Sequence, residues 1–326
     1  MPSFGRMVAD QWRADLQRVA RDGPRWSAEH RVLRCRNVAD VRAMARSALP
    51  RAVFDFVDGG ANDELALARN IAAFRDLEIA AKVLVDVSEL DLSTTVLGQP
   101  VALPILGAPT GLTGLVDPSG ERAVAAALHA HGSAYVLSAM ASYSIEDMAA
   151  AATGPLWFQL YMWRDRGFVD ELLARIGAAG YGALVLTVDG PRAGRRERDI
   201  TNGFAIPPRV TLRSLAEGVR HPRWSARFVR EMRISIANTP AAAAAGGDAL
   251  GIVEYVSRQF DPSVTWDDLA RLRDRWTGPL VVKGIMRSDD AQQAVRLGAD
   301  AVIVSNHGGR QLDDAPGTAQ ALARIV

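Results

Sequence analysis

Near the end of the sequence an apolar run, Ala301-Val302-Ile303-Val304, gives way abruptly to Ser305-Asn306-His307-Gly308-Gly309-Arg310. Histidine is the side chain that most readily takes up a proton near neutral pH. The arginine that follows can grip a carboxylate with two parallel N–H donors. Gly308 and Gly309 permit backbone conformations that other residues resist, and successive N–H groups there can form a nest for an anion. The chemistry such a loop could do is removal of a proton from an anionic substrate. Read singly, His307 is a structural hydrogen-bonding residue at a strand end and Arg310 a solvated side chain on a turn. The functional reading rests on what the rest of the chain brings beside them.

Other polar residues end or interrupt apolar runs in the same manner. Asp189 in "LTVDGPRAGRRERD" (186–199) follows a hydrophobic stretch and could orient a histidine from another strand, although an Asp-Gly turn is a common feature in its own right. Arg192, Arg195, Arg196 and Arg198 lie close behind it. Most arginines are simply solvated, so only one or two of these are expected in a site. Lys283 breaks an apolar strand between "LVV" and "GIM". Burying an unpaired ammonium costs on the order of several kcal/mol, so Lys283 is expected to meet a polar or anionic group. Gln159 and Tyr161 in "WFQLYMW" are compatible with ordinary strand positions. There is no GxxxxGK[ST], no HExxH and no GxGxxG after a strand, which disfavours phosphate-loop enzymes, zincins and Rossmann dehydrogenases.

The elements that must position these residues recur along the chain. Apolar runs of strand length occupy 101–109, 133–140, 155–162, 182–189, 279–286 and 300–307, and their near-continuous hydrophobicity suits parallel strands buried on both faces. Helix-like segments separate most of them: 118–132 ends at Gly132, 144–152 opens on Ser144 with Asp147 behind it, and 265–276 and 288–299 also begin with capping residues. Alternating strand and helix implies a parallel sheet. Ser138, Gln159, Tyr161, Thr187, Asp189, Lys283, Ser305 and His307 all fall at or just past the C-terminal ends of these runs, the face on which a (β/α)8 barrel carries its active site. A doubly wound sheet also binds ligands at strand C-termini, so the barrel is favoured over it without being decided. Residues 1–100 read as helices and loops packed before the barrel, 101–326 as the barrel, and 190–278 as an inserted loop region whose "TPAAAAAGGDALG" (239–251) is a connector of low complexity.

Composition bounds the class. A 326-residue chain with 48% hydrophobic residues can bury a substantial core. Its 38 basic and 37 acidic residues give no general attraction to nucleic acid. The single cysteine, Cys35, leaves no internal disulfide and no cysteine-based metal site, and no bound metal is expected. With no apolar run of about 18 residues and no secretory leader in the first residues, a cytoplasmic location is expected. One stretch qualifies this. Residues 209–233 hold seven arginines against two glutamates, interleaved with Leu212, Leu215, Val219, Trp224, Phe228 and Val229, as helices that lie on a membrane surface do. An amphipathic surface helix or a subunit contact reads equally well.

Taken together, "SNHGGRQLD" (305–313), "LTVDGPRAGRRERDI", "FQLYM", "APTGLTG" (108–114) and "LVVKG" resemble the FMN-dependent 2-hydroxy acid oxidase and dehydrogenase family, over residues 32 to 326 in consistent order. "SIEDMA", "LWFQLY" and "HPRWSARFVR" (221–230) are most similar to its (S)-mandelate dehydrogenase branch, whose members meet the membrane through this last region. The resemblance implies FMN as cofactor and a small 2-hydroxy acid as substrate, with quinone, oxygen or another acceptor left open. It implies His307 as base, Asp189 as the carboxylate behind it, Tyr161 at the substrate oxygen, and Arg196 and Arg310 on the substrate carboxylate. Phe56 and Met140 would also face the substrate. Pro109, Thr110, Gly111, Ser138, Gln159, Thr187 and Ser305 would cradle the flavin, with Lys283 near its N1 and C2 carbonyl. Two departures stand out. The family's substrate-contacting tyrosine is here Phe56, in "VFDFVDGGAND". The two further β/α units that the resemblance leads one to expect, with their phosphate-binding loops, do not follow Val326. The expected fold is therefore an FMN-type (β/α)8 barrel cut after its sixth strand, and a homo-oligomer because such a barrel keeps open edges. The rival readings are a non-catalytic remnant of this family and a different FMN barrel enzyme.

Overall fold

The computed structural model describes residues 32–190, 194–204, 211–231, 236–239 and 259–326. The chain divides into two compact units at Pro50 and Arg51. In the first, helix α1 (Val38–Ala48) starts at Asn37, whose side chain accepts a hydrogen bond from the Asp40 N–H at 2.9 Å.

The second unit opens with helices α2 (Arg51–Asp58) and α3 (Leu65–Arg75). A hairpin of β1 (Thr94–Val96) and β2 (Gln99–Val101) follows, turned by Leu97 and Gly98 at φ 50° and 75°, the conformation a two-residue hairpin turn requires. Then come α4 (Gly120–Ala130), β3 (Tyr135–Ser138), α5 (Ile145–Ala151), β4 (Leu156–Tyr161), α6 (Arg166–Ala178), β5 (Leu184–Thr187) and α7 (Glu197–Asn202). They are followed by α8 (Leu212–Arg220), α9 (Pro222–Glu231), α10 (Trp266–Arg275), β6 (Leu280–Ile285), α11 (Ser288–Arg296), β7 (Ala301–Val304) and α12 (Thr318–Ile325).

Strands β3 to β7 form one parallel sheet in the order 3-4-5-6-7. A doubly wound sheet reverses its strand order at a switch point. Here the order never reverses, and this is the progression of a (β/α) barrel. Alternate residues sort onto two faces, as the period of a strand demands. Leu137, Phe158, Leu160, Leu184, Leu186 and Val282 pack into the large core shared with the helices. Val136, Trp157, Val185 and Val281 point the other way and form a smaller inner core with Val96, Leu97, Leu106 and Ile303. The hairpin covers part of this inner face, and Gln99 Oε1 accepts from Trp157 Nε1 at 2.9 Å.

The expected first strand differs from its sequence reading. Over 101–109, only Val101 lies in a strand, and Gly107 makes a single parallel bridge to Tyr135. Pro104 and Pro109 lack the N–H that a ladder needs, and the Ile105 carbonyl accepts from the Ser133 hydroxyl rather than from a neighbouring strand. The helix caps match expectation more closely. Ser144 accepts from Asp147 N at 3.0 Å, and Thr265 and Asp268 form a reciprocal capping box. At the other segment the cap position is Arg287, and Ser288 is already helical.

Candidate active site

The inner face of the sheet carries the candidate residues in the same alternation as the inner core. Moving two residues along from Val136, Trp157, Val185 and Val281 gives Ser138, Gln159, Thr187 and Lys283. They are aligned by register: Ser138 pairs with Gln159, and Thr187 pairs with Tyr161 on one side and Lys283 on the other. Side chains from separate strands are thereby brought to one end of one face.

His307 stands at the rim of this face in a 3-10 turn (His307–Gly309) that follows β7. Its Nδ1 lies 2.7 Å from Asp189 Oδ1, beyond the end of β5. An ionised carboxylate can only accept, so the proton of the neutral ring sits on Nδ1 and Nε2 keeps its lone pair for a ligand. Gly284 makes room for this pair. It lies at φ 111°, within a register shift between Lys283 and Ile285, and a Cβ there would meet Asp189 Cβ at 2.7 Å and Cγ at 2.8 Å. Any other residue at 284 would push Asp189 out of place.

The loop is fixed from outside the sheet. The side-chain amides of Asn306 and Asn70 exchange hydrogen bonds of 2.8 and 2.9 Å, and the Gly309 carbonyl accepts from Ala61 N at 2.8 Å. Gly309, at φ 74°, passes so close to α3 that a Cβ would lie 2.5 Å from Leu67 N. Glu64, at the N-terminus of α3, supplies no side-chain cap; Asp313 does so instead, accepting from Asp63 N and Ala66 N at 3.0 Å each. Of the N–H groups that could form an anion nest, Gly309 N already donates to Asn306, and His307 N before the glycine pair donates to the Ser305 hydroxyl. Gly309 serves close approach instead, and Gly308, at φ 67° with open space beside it, serves the turn itself.

Arg310 uses Nη1 to donate to the carbonyls of Val57 (3.2 Å) and Gly59 (2.7 Å) at the C-terminal end of α2, where a helix dipole favours a cation. Its guanidinium lies 5.5 Å from the Phe56 ring centre and that of Arg196 lies 5.3 Å from it. Arg196 Nε donates to Asp199 at 2.7 Å. Arg310 makes no ion pair among the described residues, and burial together with the like charge of Arg196 lowers its pKa. The neighbouring arginines divide by role. Arg198 is tied to Asp58 and Glu64, Arg195 lies exposed against Glu197, and Arg192 lies outside the described residues.

Burial pulls the Lys283 ammonium below its ordinary pKa, against the opposing pull of Asp189, and Lys283 donates to the Ser305 hydroxyl at 3.1 Å. The Tyr161 phenol is held protonated by burial and by Asp189, with its ring edge-on to Phe260 at 5.2 Å. Ser138 donates to Gln159 Oε1 at 2.9 Å, which fixes the amide with Nε2 free. Gln159 Nε2 and Thr187 Oγ1 are buried and have no partner among the described residues. Such groups are costly unless a ligand meets them. The segment Pro109–Gly111 reaches the same place: Gly111 lies against Met140, and Met140 N donates to Ser138. A flat heterocycle edged with carbonyls and N–H groups fits a row that presents a hydroxyl, an amide and an ammonium side by side.

The family described as FMN-dependent dehydrogenase matches residues 45–326. An L-lactate dehydrogenase of Caulobacter vibrioides is 42% identical over 297 residues, covering 89% of this chain and 76% of the relative. A Mycobacterium tuberculosis protein is 45% identical over 280 residues, 86% of this chain and 66% of its own length. Among solved structures, the monotopic membrane protein (S)-mandelate dehydrogenase superposes with a TM-score of 0.86 at 40% identity, covering 90% of this chain and 78% of that one. The chain thus spans about two thirds to three quarters of the length of these relatives.

Proposed function

Because the chain belongs to the FMN-dependent dehydrogenase family, we propose that it oxidises a small (S)-2-hydroxy acid of the lactate or mandelate kind to the 2-oxo acid. FMN supplies the electron acceptor that no side chain can provide. Ser138, Gln159, Thr187 and Ser305 would hold its ring with the Pro109–Gly111 segment, and Lys283 would sit where its negative charge gathers. Arg196 and Arg310 bind the substrate carboxylate and orient the carbinol toward His307, beside Met140. The Tyr161 hydroxyl, kept neutral by burial, donates to the substrate oxygen. His307 Nε2 takes the proton, and Asp189 stabilises the imidazolium that forms.

The observation that carries the reading is the 2.7 Å His307–Asp189 pair, whose histidine shares a loop with Arg310, an arginine that has no ion-pair partner among the described residues. The test is to load the chain with FMN and mix it anaerobically with (S)-mandelate or L-lactate. Loss of flavin absorbance with release of the 2-oxo acid is expected; flavin that stays oxidised with every 2-hydroxy acid would overturn the reading. A chain that retains no yellow cofactor at all would favour the non-catalytic remnant.

A peripheral contact with an anionic membrane surface is proposed for 209–233, of which 211–231 is described. Leu212, Leu215, Val219 and Val229 are exposed beside Arg213, Arg220 and Arg230. Trp224 and Phe228, grouped with them in the sequence, turn to the body instead: they stack at 4.5 Å, and Trp224 Nε1 donates to the Leu115 carbonyl at 3.0 Å. Among the described residues no helix is long and apolar enough to cross a membrane. Co-sedimentation with anionic vesicles at low salt is expected, and its absence would leave α8 and α9 as a surface hairpin.

A further inference from the structure

We infer that Phe204 is a positioning residue for the carboxylate clamp, forming with Phe56 an aromatic shelf that holds the Arg196 and Arg310 guanidiniums side by side. The inference rests on the proposed reading of this site and names a residue that the motifs do not. The Phe56 and Phe204 rings are stacked, with centroids 4.6 Å apart and planes 18° from parallel. The stack covers one face of Phe56, and the guanidiniums of Arg196 and Arg310 lie over the same ring, 5.3 and 5.5 Å from its centre. Both distances are within reach of a cation–π attraction.

One short helix delivers the shelf together with a guanidinium. Arg196 is the N-cap residue of α7, and Asp199 in its first turn takes the Arg196 Nε proton donor. At the other end Gly203, at φ 60°, closes the helix: Gly203 N donates to the Ile200 carbonyl at 3.0 Å and Phe204 N to the Asp199 carbonyl at 2.8 Å. This is the Schellman arrangement, and it sends the next side chain back along the helix. Phe204 therefore returns toward Phe56 on α2, to which α7 is also joined by a 2.7 Å hydrogen bond from Asn202 Nδ2 to Asp55.

The shelf answers a physical difficulty. Two guanidiniums near one another repel, and among the described residues each is tethered on one side, Arg196 at Asp199 and Arg310 at the carbonyls of Val57 and Gly59. The ring they share offsets part of that repulsion and leaves their remaining donors for an anion. With phenylalanine at 56 the shelf contributes no hydroxyl of its own, so recognition of the carboxylate falls on the paired arginines.

The probe is oxalate, titrated calorimetrically into the full FMN-loaded chain. Phe204→Leu is expected to weaken oxalate binding about three- to thirty-fold, and to raise KM for the 2-hydroxy acid by a similar factor with a smaller change in kcat. Phe204→Tyr, which keeps the ring, is expected to restore both. Should Phe204→Leu fail to fold, Phe204→Met is the replacement. Unchanged oxalate affinity in the ring-less variant, or equal losses in the leucine and tyrosine variants, would overturn the shelf. A wild-type chain that binds no oxalate would overturn the clamp and the shelf together. A wild-type chain that binds oxalate through these arginines yet oxidises no 2-hydroxy acid would overturn the proposed reaction, while the same ring dependence of binding would uphold the shelf.

Discussion

Around His307 the polar groups find partners within the protein: Asp189 Oδ1 for the imidazole, Asn70 for Asn306, and the Val57 and Gly59 carbonyls for Arg310. On the same face, in β4 and β5, Gln159 Nε2 and Thr187 Oγ1 are fully buried and have no partner among the described residues. Near the base, Asp189 Oδ2 shares that condition, as does Asp199 Oδ1 beside Arg196, among the described residues. The difference separates two ways of building a site. Where a residue must move a proton, its orientation is set in advance by the protein, because misplacement costs rate. Where residues must bind a cofactor, their hydrogen-bonding capacity is left open, and the molecule that completes it gains the free energy.

The strongest break in this comparison is His307→Gln. It keeps a hydrogen-bonding side chain in the pre-set half but removes the base, so flavin reduction by the 2-hydroxy acid should slow by about 10²–10⁴-fold, while the chain still binds FMN. Stopped-flow reduction of the variant at a normal rate would end the assignment of His307. Next in size is Gly309→Ala, which attacks the loop's anchoring rather than its chemistry. The new Cβ would lie 2.5 Å from Leu67 N at a φ of 74°, and a loss of about 2–4 kcal/mol is expected in urea unfolding. A loss below about 1 kcal/mol would mean that the loop is free to shift away from α3.

The half proposed to hold the base was the more legible of the two in the sequence. His307, Arg310 and Asp189 lie in dense local motifs, and Lys283 was conspicuous because a strand interior rarely carries an ammonium. Strand alternation carried the inner-face row from Ser138 to Ser305 as well. What the sequence hid was long-range. Phe204 lies in no motif, and its stacking on Phe56 depends on a helix-end turn. Asp313 was visible in "QLDD" without any sign that it caps a helix far earlier in the chain. The run 101–109 has the hydrophobicity of a strand, yet its prolines interrupt the donors of a ladder. Trp224 and Phe228 share the pattern of their exposed neighbours, and only tertiary contacts separate them.

Phe56→Tyr sharpens the comparison within the clamp. A hydroxyl reaching the substrate carboxylate would contribute roughly 1.5–3 kcal/mol, seen as a lower KM or a higher turnover for a small 2-hydroxy acid. If neither changes, the ring at 56 serves only the arginines, and its para position does not face the substrate.

The smallest effect tests the open half directly, through Thr187→Val. The substitution keeps the branched shape and removes the hydroxyl, which is buried without a partner among the described residues. In the FMN-free chain that hydroxyl is a cost, so the variant should be as stable as the parent or more stable, by about 1 kcal/mol. In the FMN-loaded chain the same hydroxyl would be satisfied, so its removal should weaken cofactor binding by about 1 kcal/mol. Opposite signs in the two states are what a group left open for a ligand requires. Urea unfolding without FMN and flavin titration of the refolded chain measure the two halves of the prediction. A loss of stability in the FMN-free chain, with cofactor affinity unchanged, would show that Thr187 belongs to the packing of β5 and not to the cofactor.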